Sequence, residues 1–489
     1  MPTPTASAPS ATLPFTAPAP PPQEQRILRR TAQDVRRELR VRRRAQLPAG
    51  SLGLSYRNTA RTLADPLALL MEHRRRHGDV FTIRVLHEPI VWVTGAPGVH
   101  QVLVTDADAF SWREGRFRDL EPLLGDGMLN IDGDYHRQMR RLLLPAFHHR
   151  QVAAVADDMV SEAVRAADSL VVGDRIDLYD WTRELALRIA MRSLLGLASG
   201  AGRERQTADA FTRALHIHGQ PPLLQVVRGP RTPYAESQRA RRELDALIYD
   251  ELHARRAAGH PGGGVLGMLL GATTGDGAPL PLEAVRDQAV TLLFAGHDTT
   301  TATIAFLFYE LARHPQPLAE VVEEIDGVLG GAPPAAADLT GERLPVLERT
   351  IKETLRRWPA AWIGPRRTTR DVDVAGVTIP ADVAVHYSSW LNHHLDEYFP
   401  DPLAFKPDRF QPEAEQALPK GAYIPFGGGS RMCLGKRFGE VEIRAIATVL
   451  LQRFHFEGDP SVALKITTTP TLGPAGGMWF TVRNAGAAR

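Results

Sequence analysis

One cysteine in 489 residues leaves several chemistries without material. A lone thiol closes no intramolecular disulfide, and structural zinc sites and iron–sulfur clusters need several ligands of that kind. The scarcity fits a reducing compartment and gives no support for secretion, so a cytoplasmic location is expected. Long apolar runs are absent too. No stretch of eighteen or more apolar residues occurs, and no transmembrane helix is expected. Charge of one sign is not in excess: 58 Lys and Arg against 56 Asp and Glu give a net +2. That balance argues against nucleic acid as a bulk partner. The first 22 residues carry no charge and no apolar block, so they are not a signal peptide, and their eight prolines read as a disordered or polyproline-like arm.

What is present begins with a core: 43% of residues are hydrophobic. Residues 26–44 hold nine arginines against Asp34 and Glu38, with Leu28, Ala32, Val35 and Leu39 at helical spacing. A basic amphipathic helix there would suit a membrane surface or an acidic redox partner. A solvated arm is the preferred reading, with residues 1–46 as arm and 47–489 as one folded domain. Asp65–His77 reads as a helix. Val80–Val85 and Ile90–Thr94 read as strands around a His87–Pro89 turn. The pattern is helical from about 150 to 260. The longest uninterrupted helix runs from Leu282 to Arg313, roughly 50 Å at about 1.5 Å per residue, and stops before Pro315. A second helix covers Arg343–Trp358, and strands follow at Val372–Ile379 and Val383–Tyr387. No internal repeat is found.

The cysteine, Cys433, sits in Phe426-Gly-Gly-Gly-Ser-Arg-Met-Cys-Leu-Gly435. One thiolate suffices as the axial ligand of a heme iron. Gly427, Gly428 and Gly429 allow a tight turn and close approach to a cofactor. Arg431 can reach a heme propionate. A helix starting near Leu434, with Gly435 small enough to let it pack on a porphyrin, would lower the thiol pKa through its positive end. The loop is no phosphate cradle, because it lacks the Gly-Lys-Ser/Thr ending and a βαβ setting.

The run Phe-x-x-Gly-x-Arg-x-Cys-x-Gly resembles the heme-binding loop of the cytochrome P450 family, and all five specified positions match. The resemblance covers residues 48–485. It implies a mainly α single domain with small β-sheets, a long central helix crossing the heme, and heme b held through Cys433, Phe426, Gly427, Arg431 and Gly435. In Ala295-Gly296-His297-Asp298-Thr299-Thr300, a glycine, an acid and two alcohols are poor helix material, and such a stretch can open the helical ladder locally, as π-bulges at functional sites do; the alternative is a regular helix with a tolerated glycine and a threonine face. Asp298 can supply protons, and Thr299 can hold a water or a dioxygen ligand. This resembles the family's acid–alcohol pair, beside which Ala295 and Gly296 would border the heme. His136 and Arg140, one helical turn apart, match a propionate-binding pair in which histidine replaces the more frequent tryptophan. Arg366 matches another propionate arginine, with Arg367 adjacent. Glu353, Arg356 and Arg409 look like the family's buried Glu–Arg–Arg network, a folding and heme-incorporation element.

The implied activity is insertion of one oxygen atom from O2 into a C–H bond or C=C of a hydrophobic small molecule: a terpenoid, fatty acid or polyketide. Pocket residues are expected in Phe110–Asn130, around 205–235, at Ala295, in Ala360–Ile363 and near Thr471–Gly473. No fused flavin or ferredoxin domain is expected. Electrons are expected from a ferredoxin or similar donor with its NAD(P)H-dependent reductase, docking near Lys420, Lys436 and Arg437 on a monomer. The rivals are a heme-thiolate peroxygenase, which an intact Asp298–Thr299 pair speaks against, a heme-thiolate isomerase or dehydratase, and a non-catalytic heme sensor.

Overall fold

The computed structural model describes residues 27–488 except 116–119, 198–200, 220–226, 261, 274–276, 341, 460 and 470. The proline-rich arm of residues 1–22 lies outside the described residues, as does part of the expected pocket stretch 205–235. The elements that position the site are helices α1 (Ile27–Arg44), α2 (Tyr56–Ala64), α3 (Pro66–His77), α4 (Gly133–Leu143), α5 (Leu178–Ile189), α6 (Leu282–Arg313), α7 (Pro345–Arg357) and α8 (Lys436–Arg453). The largest sheet has six strands: β1 (Gly50–Ser51), β2 (Val80–Val85), β3 (Glu88–Val93), β4 (Phe110–Ser111), β5 (Ile363–Thr368) and β6 (Ala384–Ser388), in the order β1-β2-β3-β6-β5-β4. The β1–β2 and β3–β6 pairs are parallel and the others antiparallel. The chain is mainly helical, as expected.

Local chemistry explains the ends of these elements. Asp65 caps α3 by accepting the Ala68 N–H at 3.2 Å, and Pro66 in the first turn forfeits no bond. Pro315 cannot continue α6, so the helix closes at Arg313 and a new one starts at Pro315. The β2–β3 turn is Leu86–His87, one residue earlier than expected. Pro89 is in β3 opposite Arg84, where it lies outside the β6 pairing that begins at Ile90 and so withholds no ladder N–H. The stretch 372–379 is two strands, not one. It turns at Ala375 and Gly376, both at positive φ as a tight hairpin requires.

One expectation fails here, and one open reading is decided. Residues 27–44, read as a solvated arm, form α1 and dock on the sheet. Val41 is buried, Asp34 meets His87, and Glu38 accepts both terminal nitrogens of Arg84. Arg84 is itself buried, and a buried guanidinium needs a carboxylate. Among the described residues, α1 is part of the folded unit. Of the two readings of Gly296–Thr300, the local opening does not occur, and α6 is α-helical through all 32 residues. Thr299, Thr301 and Thr303 instead turn their hydroxyls onto the carbonyls of Ala295, His297 and Thr299, four residues back.

Candidate active site

Most of α6 is buried on every side, but Phe294, Ala295, Gly296 and Thr299 are partly open. Side chains three and four apart share a helix face, so the opening is one patch midway along the helix. A Cβ added at Gly296 would touch nothing within 4 Å. Cys433 is likewise exposed. Its loop is held by backbone bonds. Cys433 N–H donates to the Phe426 carbonyl at 2.9 Å, and Gly427 N–H to that of Ile424 at 3.0 Å. Gly427 and Gly429 have φ of +68° and +62°, and a side chain at Gly429 would strike the Leu103 carbonyl. Gly435 is the first half-turn of α8, with the Phe147 ring 3.7 Å from where a Cβ would stand.

Burial pushes the Cys433 thiol above its ordinary value, against the Gly435 N–H and the Arg140 guanidinium, which pull it down. The helix end pulls in the expected direction, and desolvation outweighs it. A bound metal would reverse that order, since a coordinating thiol is deprotonated outright.

Around this loop gathers a cationic cluster. His136 and Arg140 are four apart on α4, and neither side chain makes a hydrogen bond among the described residues. Burial, then Arg431 and Arg140, push His136 down to about 3, so it is a neutral imidazole with one N–H to give. Arg366 is buried with its guanidinium 3.5 Å from the Trp112 ring centre; Tyr387 and the charge of Asp132 favour its cation, and no carboxylate forms an ion pair with it among the described residues. Strand alternation sends the adjacent Arg367 the other way. That residue is fully engaged by Glu88 at 2.6 Å and by the carbonyls of Glu114 and Asp382. Arg431 bonds the Ile131 carbonyl and Asp132, both at 2.6 Å, and burial pushes its pKa down to about 10. Trp112 and Asp132 carry no motif and were not legible in the sequence.

Asp298 does not point at Thr299. Its carboxylate lies 3.2 Å from His297 Nδ1 and 3.6 Å from Arg183 Nε of α5. Burial alone would raise its pKa, but these two partners hold it below its ordinary value and keep it ionised. Arg183 in turn pairs with exposed Asp180 at 3.0 Å, which carries the polar chain to the surface. Sequence reasoning also missed Glu442 of α8. It is buried, accepts the Thr300 hydroxyl at 3.0 Å, and burial pushes it up to about 8. The unfolded chain ionises that carboxyl near 4.3 while the folded one stays neutral, so it costs stability increasingly from about pH 5 to 8. Glu442→Gln is expected to stabilise the protein relative to the parent more at pH 8 than at pH 5. Thermal melts with an equal difference at both values would contradict this.

The Glu353–Arg356 pair is fully buried and bidentate, with contacts of 2.7 and 2.9 Å. Arg409 stands 3.5 Å from Glu353, whose carboxylate also accepts the Lys406 N–H at 2.9 Å. From this triad a bonded path reaches the cysteine loop. Arg356 Nη1 donates to the His393 carbonyl at 2.8 Å, and His393 Nε2 accepts the Ile424 N–H at 2.8 Å. Ile424 then accepts from Gly427, as above. His393 is a member that the motif reading did not include.

The profile of the family described as Cytochrome P450 matches residues 58–476. The chain belongs to the cytochrome P450 family. Among curated relatives, the cyclooctat-9-en-7-ol 5-monooxygenase of Streptomyces melanosporofaciens is 32% identical over 79% of this chain and 84% of its own. The pentalenene oxygenase of Streptomyces avermitilis is 31% identical over 79% and 86%. The retinoic acid-bound cyanobacterial CYP120A1 superposes with a TM-score of 0.79 at 26% identity, covering 90% of this chain and 99% of that one. The chain is therefore a heme-thiolate monooxygenase that uses heme b, a hydrophobic substrate and a redox partner.

The residues present fit that cofactor. The open patch of α6 has room beside Gly296. Arg366, His136 and Arg140 enter no ion pair among the described residues, a donor set that suits an anionic group. Not every expected pocket residue borders this space. Trp362 is packed away, donating to the Thr468 carbonyl at 2.9 Å and meeting Trp390 edge-on, and Leu123 and Leu124 are buried in the core. No described helix is long and apolar enough to cross a membrane.

Proposed function

We propose that Cys433 is the axial heme ligand, that Phe426, Gly427 and Gly435 shape its loop, and that Arg366, His136, Arg140 and Arg431 receive the propionates. The buried Arg366, with no carboxylate in ion-pair contact among the described residues, carries this reading, since a buried cation is costly until an anion meets it. Heme, when bound, supplies the oxygen-activating chemistry, and thiolate donation favours O–O cleavage. Ala295 and Gly296 leave room for it. Asp298, held in place by Arg183, is the group on α6 that takes up and gives protons beside Thr299.

The substrate we propose is a cyclic terpenoid, the class named in both Streptomyces relatives. Electrons come from a ferredoxin with its NAD(P)H-dependent reductase. Lys436 and exposed Arg437, with Met432 open beside Cys433, form the face it meets. The protein acts as a cytoplasmic monomer. Binding spectra with a panel of cyclic terpenes, fatty acids and macrolides test the substrate class. A spin-state shift with the terpenes alone is expected, and one confined to fatty acids would overturn it.

Arg366 and Arg367 can be separated. Charge-assisted hydrogen bonds contribute about 1.5–3 kcal/mol, so Arg366→Leu is expected to speed heme transfer to apomyoglobin about tenfold or more. Arg367→Leu should lower the melting temperature through its lost Glu88 pair and leave heme transfer unchanged. The reverse pattern would move the propionate contact to Arg367.

A further inference from the structure

The outward side of α1 has no role in the reaction. Its two acids face the protein: Asp34 holds His87 at 3.1 Å, and Glu38 holds Arg84. What remains outside is Ala32, Val35 and Leu39 at helical spacing, flanked by exposed Arg36, Arg40 and Arg43. Arg36 and Arg43 enter no ion pair among the described residues.

Two other segments bring apolar tips to the same region. Val35, Leu39, Leu86, Leu54 and Tyr56 are 39%, 52%, 54%, 84% and 88% exposed. Arg84 ties these segments together. It bonds Glu38 of α1, the Leu52 carbonyl just before Leu54, and the His87 carbonyl in the Leu86 turn. Thr59 of α2 accepts the Leu86 N–H at 2.9 Å, which fixes the turn against the helix that Tyr56 begins. Leu86 has φ of +53°, a left-handed conformation that disfavours leucine. A strained turn that displays a leucine to water stabilises nothing within the fold.

We infer that this surface docks on an anionic lipid bilayer, with α1 lying in the headgroup plane and Leu54, Tyr56 and Leu86 entering beside it. Arginine along a helix whose acids are turned inward complements phosphate headgroups. Apolar residues interleaved with that charge are the composition of an interfacial helix. A protein interface would concentrate its apolar residues in a core depleted of charge. Here they stand as separate tips among arginines.

Flotation of the heme-loaded full chain with vesicles tests this. Vesicles of phosphatidylglycerol and phosphatidylcholine are expected to carry the protein at low salt and release it as salt rises, while pure phosphatidylcholine carries much less. Val35→Asp with Leu39→Asp should abolish flotation, and Leu54→Ser with Tyr56→Ser should weaken it. Arg36→Glu and Arg43→Glu should each lower the partition coefficient about fivefold or more. Heme content of these variants should match the parent, because the replaced side chains are exposed. Absence of flotation, or flotation indifferent to Val35 and Leu39, would overturn the proposal. Capture by polyglutamate beads without vesicle binding would replace it with an acidic protein partner. A dimer dispersed by the same variants, with no flotation, would replace it with a second copy.

Discussion

Glu353→Ala is expected to leave little protein that holds heme. Glu353 is buried and accepts three donors, two nitrogens of Arg356 and the Lys406 N–H, with the Arg409 guanidinium 3.5 Å away. Removing it strands two guanidiniums in or near the interior. Breaking a buried pair in this way costs about 3–5 kcal/mol. Against a net stability of about 5–15 kcal/mol, that loss leaves the fold marginal. The damage would also be local. Without Glu353, Arg356 is free to leave the His393 carbonyl, and His393 is what receives Ile424 at the root of the cysteine loop. Heme per polypeptide, measured by pyridine hemochrome, is expected to fall steeply, with a lowered melting temperature in whatever holoprotein survives. A parent-like heme content and melting temperature would refute the role given to the triad.

The second large effect is expected at the acid and alcohol of α6. Thr299→Ala should bind heme and consume NADPH, yet release hydrogen peroxide in place of most of the product. The Thr299 hydroxyl donates to Ala295 at 2.8 Å within an intact helical turn, so its loss removes a polar group from the open patch without disturbing the ladder. Asp298→Asn should act differently. The Asp298 carboxylate is kept ionised by His297 and Arg183, and an amide there can neither accept nor pass a proton. Positioned acid–base groups contribute about 10²–10⁴-fold, and turnover is expected to fall within that range while heme content stays normal. Unchanged coupling of NADPH to product in Thr299→Ala, or unchanged turnover in Asp298→Asn, would remove these residues from proton delivery.

How much of this was legible before the structure depended on the range of the interaction. The ends of α6 could be read to the residue, because Pro281 and Pro315 act locally. The cysteine loop could be read because its glycines, arginine and thiol lie within ten positions. The docking of α1 could not, since its partners Arg84 and His87 lie 46 and 53 residues away. The Arg431–Asp132 bond spans 299 residues, and no local pattern announces it. Glu442 looked like an ordinary helical glutamate until α8 was seen against Thr300 of α6. The π-bulge was a fair inference from propensity, but threonine hydroxyls back-bonded to the preceding turn kept the helix regular. For the thiol, the helix end was visible in the sequence and the opposing burial was not.

The central claim is that Cys433 binds heme iron as a thiolate, and the absorption spectrum of the reduced protein under carbon monoxide tests it most directly. A Soret band moved far to the red, and absent from Cys433→Ala, is the expected result. A band typical of histidine-ligated heme in the parent protein, or a red-shifted band that survives in Cys433→Ala, would contradict it.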